Sequence, residues 1–121
     1  MVLNHLCIYV KDMERSKAFY TPLLQLLGED ISLEVPNYYV GYSNNSFGFC
    51  PNKRDHPSYA HFAFGAKSKE QVNEFYEKAL TLGATCNGKP GIRTLYGPNY
   101  YGAFVLDPDG NNMEIVYKGD A

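Results

Sequence analysis

The 121-residue sequence predicts an α+β fold made of two copies of one β-α-β-β-β module, with the helices outside the sheet. Three observations lead to this prediction. Each half begins with an alternating strand pattern and continues with an amphipathic helix. Short strand patterns separated by turn residues follow each helix. Residues also recur at one spacing: His5 and His61 lie 61 − 5 = 56 residues apart, as do Phe19 and Phe75. Such spacing indicates an internal duplication.

The first module is predicted over about residues 1–50. Its first strand is expected from Val2 to Val10, because apolar residues alternate there. Asp12 fits the N-cap of the following helix, Pro22 is expected to break that helix, and Gly28 is expected to end it. Three short strands are then predicted at about residues 30–35, 38–43 and 46–50.

The second module repeats this order over about residues 58–118. A strand is predicted from Tyr59 to Ala66, and Ser68 opens a capping box for a helix that Gly83 ends. The polar stretch at about residues 51–57 is the predicted linker; it contains His56, to which no role is assigned. Three strands are predicted near residues 84–88, 100–106 and 112–117.

Composition excludes several classes of function. The formal net charge is −2 and there is no basic block, so neither nucleic acid nor an anionic membrane surface is an expected partner. No apolar run approaches the roughly 20 residues of a membrane span. The 3 cysteines lack CxxC spacing and the N-terminus lacks a leader pattern, so we expect free thiols in the cytoplasm.

The repeat brings candidate metal ligands to one side of the sheet. Each helix must bury its apolar stripe on the apolar face of its strand, which leaves His5 and His61 on the opposite face. The turn Asp107-Pro108-Asp109-Gly110 joins the last two strands, and alternation places Glu114 on the side of the histidines. Two imidazoles and a carboxylate suit a divalent transition metal, namely Fe, Mn, Ni or Zn. A satisfied histidine or a solvated glutamate remains the alternative for each residue alone.

Three segments, NHLCIYVKDMERSKAFY, AHFAFGAKSKEQVNEFY and YYGAFVLDPDGNNMEIV, resemble the vicinal oxygen chelate superfamily. That group includes glyoxalase I, bleomycin-resistance proteins, fosfomycin-resistance thiol transferases and extradiol dioxygenases. The resemblance covers essentially the whole chain. It implies a single domain in which paired modules form a cupped mixed sheet around a metal held by His5, His61 and Glu114. It also implies a homodimer, and leaves open whether the site lies within one chain or is shared by two.

The resemblance implies a metal-dependent enzyme acting on a small oxygen-bearing substrate: a glyoxalase-like lyase, an extradiol-type dioxygenase or a thiol transferase. One departure argues against authentic glyoxalase I activity. Members of that type supply a second carboxylate from the last strand of the first module, where this chain has Phe47 or Gly48. The alternative function is a metal-free, ligand-sequestering protein of the bleomycin-resistance type.

The segment from Asn87 to Asn99, NGKPGIRTLYGPN, is rich in Gly and Pro and longer than a hairpin requires. Arg93 is a candidate for binding an anionic group of the substrate, and Tyr96 a candidate for donating to it or stacking on it. A solvated surface loop is the alternative. Tyr101 lies on the next predicted strand and is a candidate catalytic residue beside the metal.

Overall fold

The computed structural model describes residues 2–52 and 59–119, and the chain divides into two compact units, residues 1–58 and 59–121. Each unit contains one helix and one four-stranded mixed sheet, which confirms the predicted α+β fold of two β-α-β-β-β modules. Most of the predicted linker, including His56, lies outside the described residues. Among the described residues, no helix is long and apolar enough to cross a membrane.

The first unit places its first strand beside its last. Strand β1 pairs parallel with β4, and β4, β3 and β2 then pair antiparallel, giving the order β1-β4-β3-β2. Helix α1 packs on this sheet; the Tyr20 ring lies 5.1 Å from that of Phe47 and 5.9 Å from that of Phe49. The elements are β1 (Leu6–Val10), α1 (Met13–Leu26), β2 (Ile31–Val35), β3 (Tyr39–Tyr42) and β4 (Phe47–Pro51).

Helix α1 begins and ends where the sequence predicts. The Asp12 carboxylate accepts a hydrogen bond from the backbone N–H of Arg15 at 3.1 Å. Gly28, with φ of +83°, follows the last turn, and its N–H donates to the Gln25 carbonyl at 3.0 Å. This left-handed conformation favours glycine, which explains why the helix ends there.

Helix α1 is continuous through Pro22, so the predicted break is wrong. Leu23 and Leu24 follow directly and are only 0% and 3% exposed. Burying each leucine stabilises the fold by roughly 1.5–3 kcal/mol, which offsets the cost of about 3 kcal/mol for an interior proline. Thr21 does not begin a new turn; its hydroxyl lies 2.7 Å from that of Tyr42.

Strand β1 begins at Leu6, four residues later than predicted. Its partner β4 begins at Phe47, because Ser43, Asn44 and Asn45 form a turn with positive φ just before it. The Leu6 N–H donates to the Ser46 carbonyl at 2.8 Å. The pairing of β1 with β4 does not extend to residues before Leu6. His5 therefore precedes the strand, and strand alternation does not fix the direction of its side chain.

The second unit repeats the topology of the first. Strand β5 pairs parallel with β8, and β8, β7 and β6 pair antiparallel, giving the order β5-β8-β7-β6. The elements are β5 (His61–Gly65), α2 (Lys69–Thr81), β6 (Thr85–Ile92), β7 (Tyr101–Leu106) and β8 (Asn112–Tyr117). The β6 strand is longer than predicted and includes the first part of the segment from Asn87 to Asn99. Its pairing with β7 contains two register shifts.

The duplication extends to strand register. In the first sheet Cys7 pairs with Gly48, and in the second Ala63 pairs with Glu114. Cys7 and Ala63 are separated by 63 − 7 = 56 residues, the same spacing as His5 and His61. Gly48 is therefore the counterpart of Glu114 in the first unit.

Candidate functional site

The candidate site is centred on Glu114, a carboxylate in the interior strand of the second sheet. Strand β8 lies between β5 and β7, and Glu114 is only 3% exposed. Two groups reach it. The Tyr100 hydroxyl donates a hydrogen bond to Oε2, and His61 Nε2 lies 3.3 Å from Oε1. A buried carboxylate requires such partners, because losing its hydration is costly.

His61 is held by the backbone of the neighbouring strand. Its Nδ1 lies 3.0 Å from the carbonyl oxygen of Asn112. A carbonyl only accepts, so Nδ1 carries the proton in this hydrogen bond and Nε2 is left facing Glu114. A backbone carbonyl in this role fixes the orientation and tautomer of many metal-binding histidines.

A buried polar network positions His61 beside β8. Asp107 and Asn111, which flank the turn before β8, are 5% and 0% exposed. The Asp107 carboxylate accepts from the Asn111 backbone N–H at 2.8 Å and from its side-chain amide at 3.0 Å. The Asn111 side-chain oxygen in turn accepts from the Ala60 N–H at 3.0 Å. Because Ala60 directly precedes His61, this network ties the start of β5 to the turn.

The His61 nitrogen and the Glu114 carboxylate oxygen are donor atoms that suit a bound cation. In the neutral imidazole, the Nε2 lone pair faces a carboxylate oxygen, and two acceptors require a proton or a metal ion between them. Donor atoms about 2.1 Å from one ion can lie up to about 4.2 Å apart, so the observed 3.3 Å permits a shared ion. The pair is two ligands only. Among residues 2–52 and 59–119, no group of three or more His, Cys, Asp or Glu side chains could hold a metal.

The remaining predicted ligand, His5, lies in the first unit. Its side chain is exposed, and its Nδ1 lies 2.9 Å from the side-chain oxygen of Asn4. The assignment of His5 as a ligand stays a prediction from the repeat.

Tyr100, which the sequence analysis did not select, contacts the carboxylate in place of Tyr101. Burial and the hydrogen bond to Glu114 raise the pKa of Tyr100 to about 12, so its hydroxyl keeps its proton and donates. The Tyr101 hydroxyl instead donates to Asn73 of helix α2 at 2.7 Å. Tyr101 pairs with Tyr117, and β7 pairs Phe104 with Glu114, so Tyr101 lies on the helix side of the sheet. The structure thus does not bring this predicted catalytic residue to Glu114.

Arg93 lies on the same face of the second sheet as Glu114, and the Phe104 ring contacts both Arg93 and His61. The Phe104 ring stacks on His61 at a centroid distance of 6.0 Å, and the Arg93 guanidinium lies 5.5 Å from the Phe104 centroid. Its Nη2 donates to the Lys89 carbonyl, whereas its Nε is buried and makes no hydrogen bond to the described residues. A buried N–H without an acceptor costs about 1–3 kcal/mol.

Tyr96 borders this cluster from the turn after β6. Its side chain is 62% exposed, and its ring lies 5.3 Å from that of Tyr100. The structure therefore places Tyr96 next to the tyrosine that contacts Glu114, at the exposed end of the cluster.

The first unit carries different chemistry at the matching position. A Cβ on Gly48 would lie 2.5 Å from the Tyr39 hydroxyl oxygen, so the tyrosine ring occupies the space of a side chain there. Cys7 and Cys50 lie on the same face, and their sulfur atoms are 3.3 Å apart. Burial, together with the hydrogen bond to Cys50, raises the pKa of Cys7 to about 12. This face of the first sheet is a tyrosine–thiol surface without a carboxylate at the Glu114 position.

Comparisons with known proteins agree with the fold. A model of the Glyoxalase/Bleomycin resistance protein/Dioxygenase superfamily matches residues 2–115. The solved structure of a glyoxalase/bleomycin resistance protein from Albidiferax ferrireducens T118 is 29% identical with a TM-score of 0.83, covering 97% of this chain and 99% of that one.

Two proteins known by sequence are also similar. Lactoylglutathione lyase of Salmonella typhimurium is 27% identical, over 100% of this chain and 96% of its own length. The uncharacterized protein YqjT of Bacillus subtilis is 28% identical, over 94% of this chain and 97% of its own length.

Proposed function

This chain belongs to the glyoxalase/bleomycin resistance protein/dioxygenase superfamily, and we propose on that basis that it is a metal-dependent enzyme acting on a small oxygen-bearing substrate. The observation that carries the proposal is the pair of His61 Nε2 and Glu114 Oε1, 3.3 Å apart in a nearly buried setting. We assign these two residues, with His5 as the third, as ligands of a divalent transition metal, Fe, Mn, Ni or Zn.

The protein groups have distinct tasks in this proposal. A divalent metal at this site supplies a Lewis acid that stabilises negative charge developing on a substrate oxygen. Tyr100 fixes the carboxylate by donating to Oε2, which leaves Oε1 directed at His61. Arg93 binds an anionic group of the substrate through its guanidinium, and Tyr96 contacts the substrate from the exposed end of the cluster.

Two observations bear on the reaction class, and they favour different members of the superfamily. A glyoxalase-like lyase has support from the similarity to lactoylglutathione lyase of Salmonella typhimurium. The glycine at position 48 argues against a second carboxylate ligand, and so favours an extradiol-type dioxygenase or a thiol transferase. We further propose a cytoplasmic homodimer, with neither nucleic acid nor membrane as a partner.

The second candidate function is a metal-free binding protein that sequesters its ligand. One observation favours it: no third metal-binding side chain joins His61 and Glu114 within the described parts of the chain. A proton on Nε2 would then complete the pair as an imidazolium–carboxylate contact. Arg93 and Tyr96 would retain their role as ligand contacts.

Metal content and turnover separate the two functions. Protein purified without chelator is analysed for Fe, Mn, Ni and Zn, stripped, reloaded with each ion, and assayed on catechols, 2-oxoaldehyde–thiol adducts and epoxides. The proposal predicts turnover of one class, lost on stripping and restored by one ion. Protein that retains no metal and gains no activity with any of the four ions contradicts the enzyme and supports the binding protein.

A further inference from the structure

The Cys7–Cys50 pair lies in the first unit, whereas His61 and Glu114 lie in the second. Cys7 is two residues from His5, the proposed third ligand, but neither cysteine has a role in the proposed function. Cys7 is on β1 and Cys50 on the neighbouring parallel strand β4. Cys7 pairs with Gly48 and Tyr9 pairs with Cys50, so the two cysteines are diagonal neighbours on one face of the sheet. Their sulfur atoms are 3.3 Å apart.

Both sulfur atoms lie near the same backbone carbonyl oxygen. The Cys7 Sγ lies 3.8 Å from the Ile8 carbonyl oxygen, and the Cys50 Sγ lies 3.9 Å from the same atom. A disulfide bond is about 2.05 Å long, so the sulfur atoms must approach by about 3.3 − 2.05 ≈ 1.3 Å. Diagonal neighbours on adjacent strands are about 7–8 Å apart, and a disulfide requires Cα atoms within about 7 Å. Bond formation therefore requires rotation of both side chains together with a small approach of β1 and β4.

The pair is also accessible to small reagents. Cys7 is exposed and Cys50 is half-buried. Both lie on the face of the sheet opposite helix α1, whereas Ile8 and Val10 are buried on the face that the helix covers. Dissolved peroxide can therefore reach a sulfur without unfolding the sheet.

From this geometry we propose that Cys7 and Cys50 are a modification site: hydrogen peroxide oxidises them to a disulfide between β1 and β4, and a small dithiol reduces it again. The Cys50 sulfur attacks a peroxide oxygen, the O–O bond breaks, and a sulfenic acid on Cys50 and water form. The second sulfur then attacks the sulfenic sulfur; the S–S bond forms, the S–O bond breaks, and the hydroxyl leaves as water with the remaining thiol proton. Two thiols lose two electrons and one peroxide becomes two waters.

The third cysteine must be removed to isolate the pair. Cys86 is exposed on β6, and hydrogen bonds from the Tyr76 hydroxyl and the Gly88 N–H lower its pKa. A thiol of this kind reacts readily with peroxide and with other chains. The Cys86→Ser variant removes this competing reaction and leaves the first unit unchanged.

The test follows free thiols and cross-linked peptides in the full-length Cys86→Ser protein. After treatment with peroxide and removal of the excess, we expect the thiol count to fall from two to zero per chain. The monomer should lose the mass of two hydrogen atoms, and tryptic digestion should yield residues 1–11 joined to residues 18–53. Dithiothreitol should restore both thiols. The Cys7→Ser/Cys86→Ser variant is the matched control, and it should form a trappable sulfenic acid at Cys50 without an internal link.

Three results would overturn the proposal. The oxidised Cys86→Ser protein could keep two free thiols at peroxide concentrations that oxidise a free cysteine-containing peptide. It could cross-link only between chains, or it could accumulate sulfinic and sulfonic acids with no linked peptide. None of these readouts depends on metal or turnover, so the test is independent of the proposed enzyme.

Discussion

Replacing Tyr100 by Phe tests whether its hydroxyl stabilises the buried carboxylate. The substitution keeps the ring against Tyr96 and removes only the O–H that donates to Glu114 Oε2. A hydrogen bond to a charged group contributes about 1.5–3 kcal/mol, more than a neutral one. Because Glu114 is only 3% exposed, solvent does not readily replace the lost donor. We expect the free energy of unfolding to fall by about 2 kcal/mol.

The assay is urea unfolding of metal-stripped protein at neutral pH. With a urea dependence of about 1–3 kcal/mol per M, the midpoint should move down by about 1 M. Tyr38→Phe is the control, because Tyr38 is 64% exposed and lies in the first unit. Glu114→Ala, which removes the acceptor, completes a double-mutant cycle, in which the coupling energy between the two side chains should account for most of the loss. A loss no larger than that of Tyr38→Phe, or no coupling, would refute the reasoning.

Three further predictions concern the phenol, glycine and thiol groups. Burial raises the pKa of Tyr42 to about 12 from the 10.0 of a free phenol. The neutral hydroxyl therefore stabilises the folded state below pH 10, and this stabilisation is lost as the pH rises from about 10 to 12. Urea midpoints at pH 9 and 11 should differ more in wild type than in Tyr42→Phe. In Gly102→Ala the new Cβ would lie 3.3 Å from Glu114 Oε2, so metal affinity should fall by about 10-fold in competition with a chromogenic chelator. A disulfide between Cys7 and Cys50, 43 residues apart, should raise the free energy of unfolding by up to about 4 kcal/mol, measured with and without dithiothreitol.

The order of elements in each module and the ends of both helices could be predicted from the sequence. Asp12 and Ser68 cap the two helices with side-chain oxygens, as their residue types predict. Gly28 and Gly83 follow the helices with φ of +83° and +101°, which glycine tolerates best. These features depend on a few adjacent residues, so they could be predicted from local sequence.

Features that depend on contacts distant in sequence were harder to predict. The continuation of helix α1 through Pro22 depends on burial of the leucines after it, which only the packed sheet determines. The late start of β1 depends on where its partner β4 begins. Both are properties of the assembled unit and not of the segments themselves.

The choice between the two adjacent tyrosines depends on a one-residue difference in the register of the β7–β8 hairpin, which the turn residues alone do not fix. The turn after Leu106 pairs that residue with Asn112, and Phe104 with Glu114. Even-numbered residues of β7 therefore share the face of Glu114, which selects Tyr100 and excludes Tyr101. The pairing register of the hairpin, added to the alternation of β8, carries this information.

Calorimetric titration of stripped protein with Zn²⁺ measures whether Glu114 and His61 bind one divalent ion. We expect one ion per chain for wild type, binding weakened at least tenfold in Glu114→Gln, and no change in Glu74→Gln, which alters an exposed carboxylate of the same unit. Equal binding by wild type and Glu114→Gln, or no binding by wild type, would contradict the assignment of these two residues as ligands.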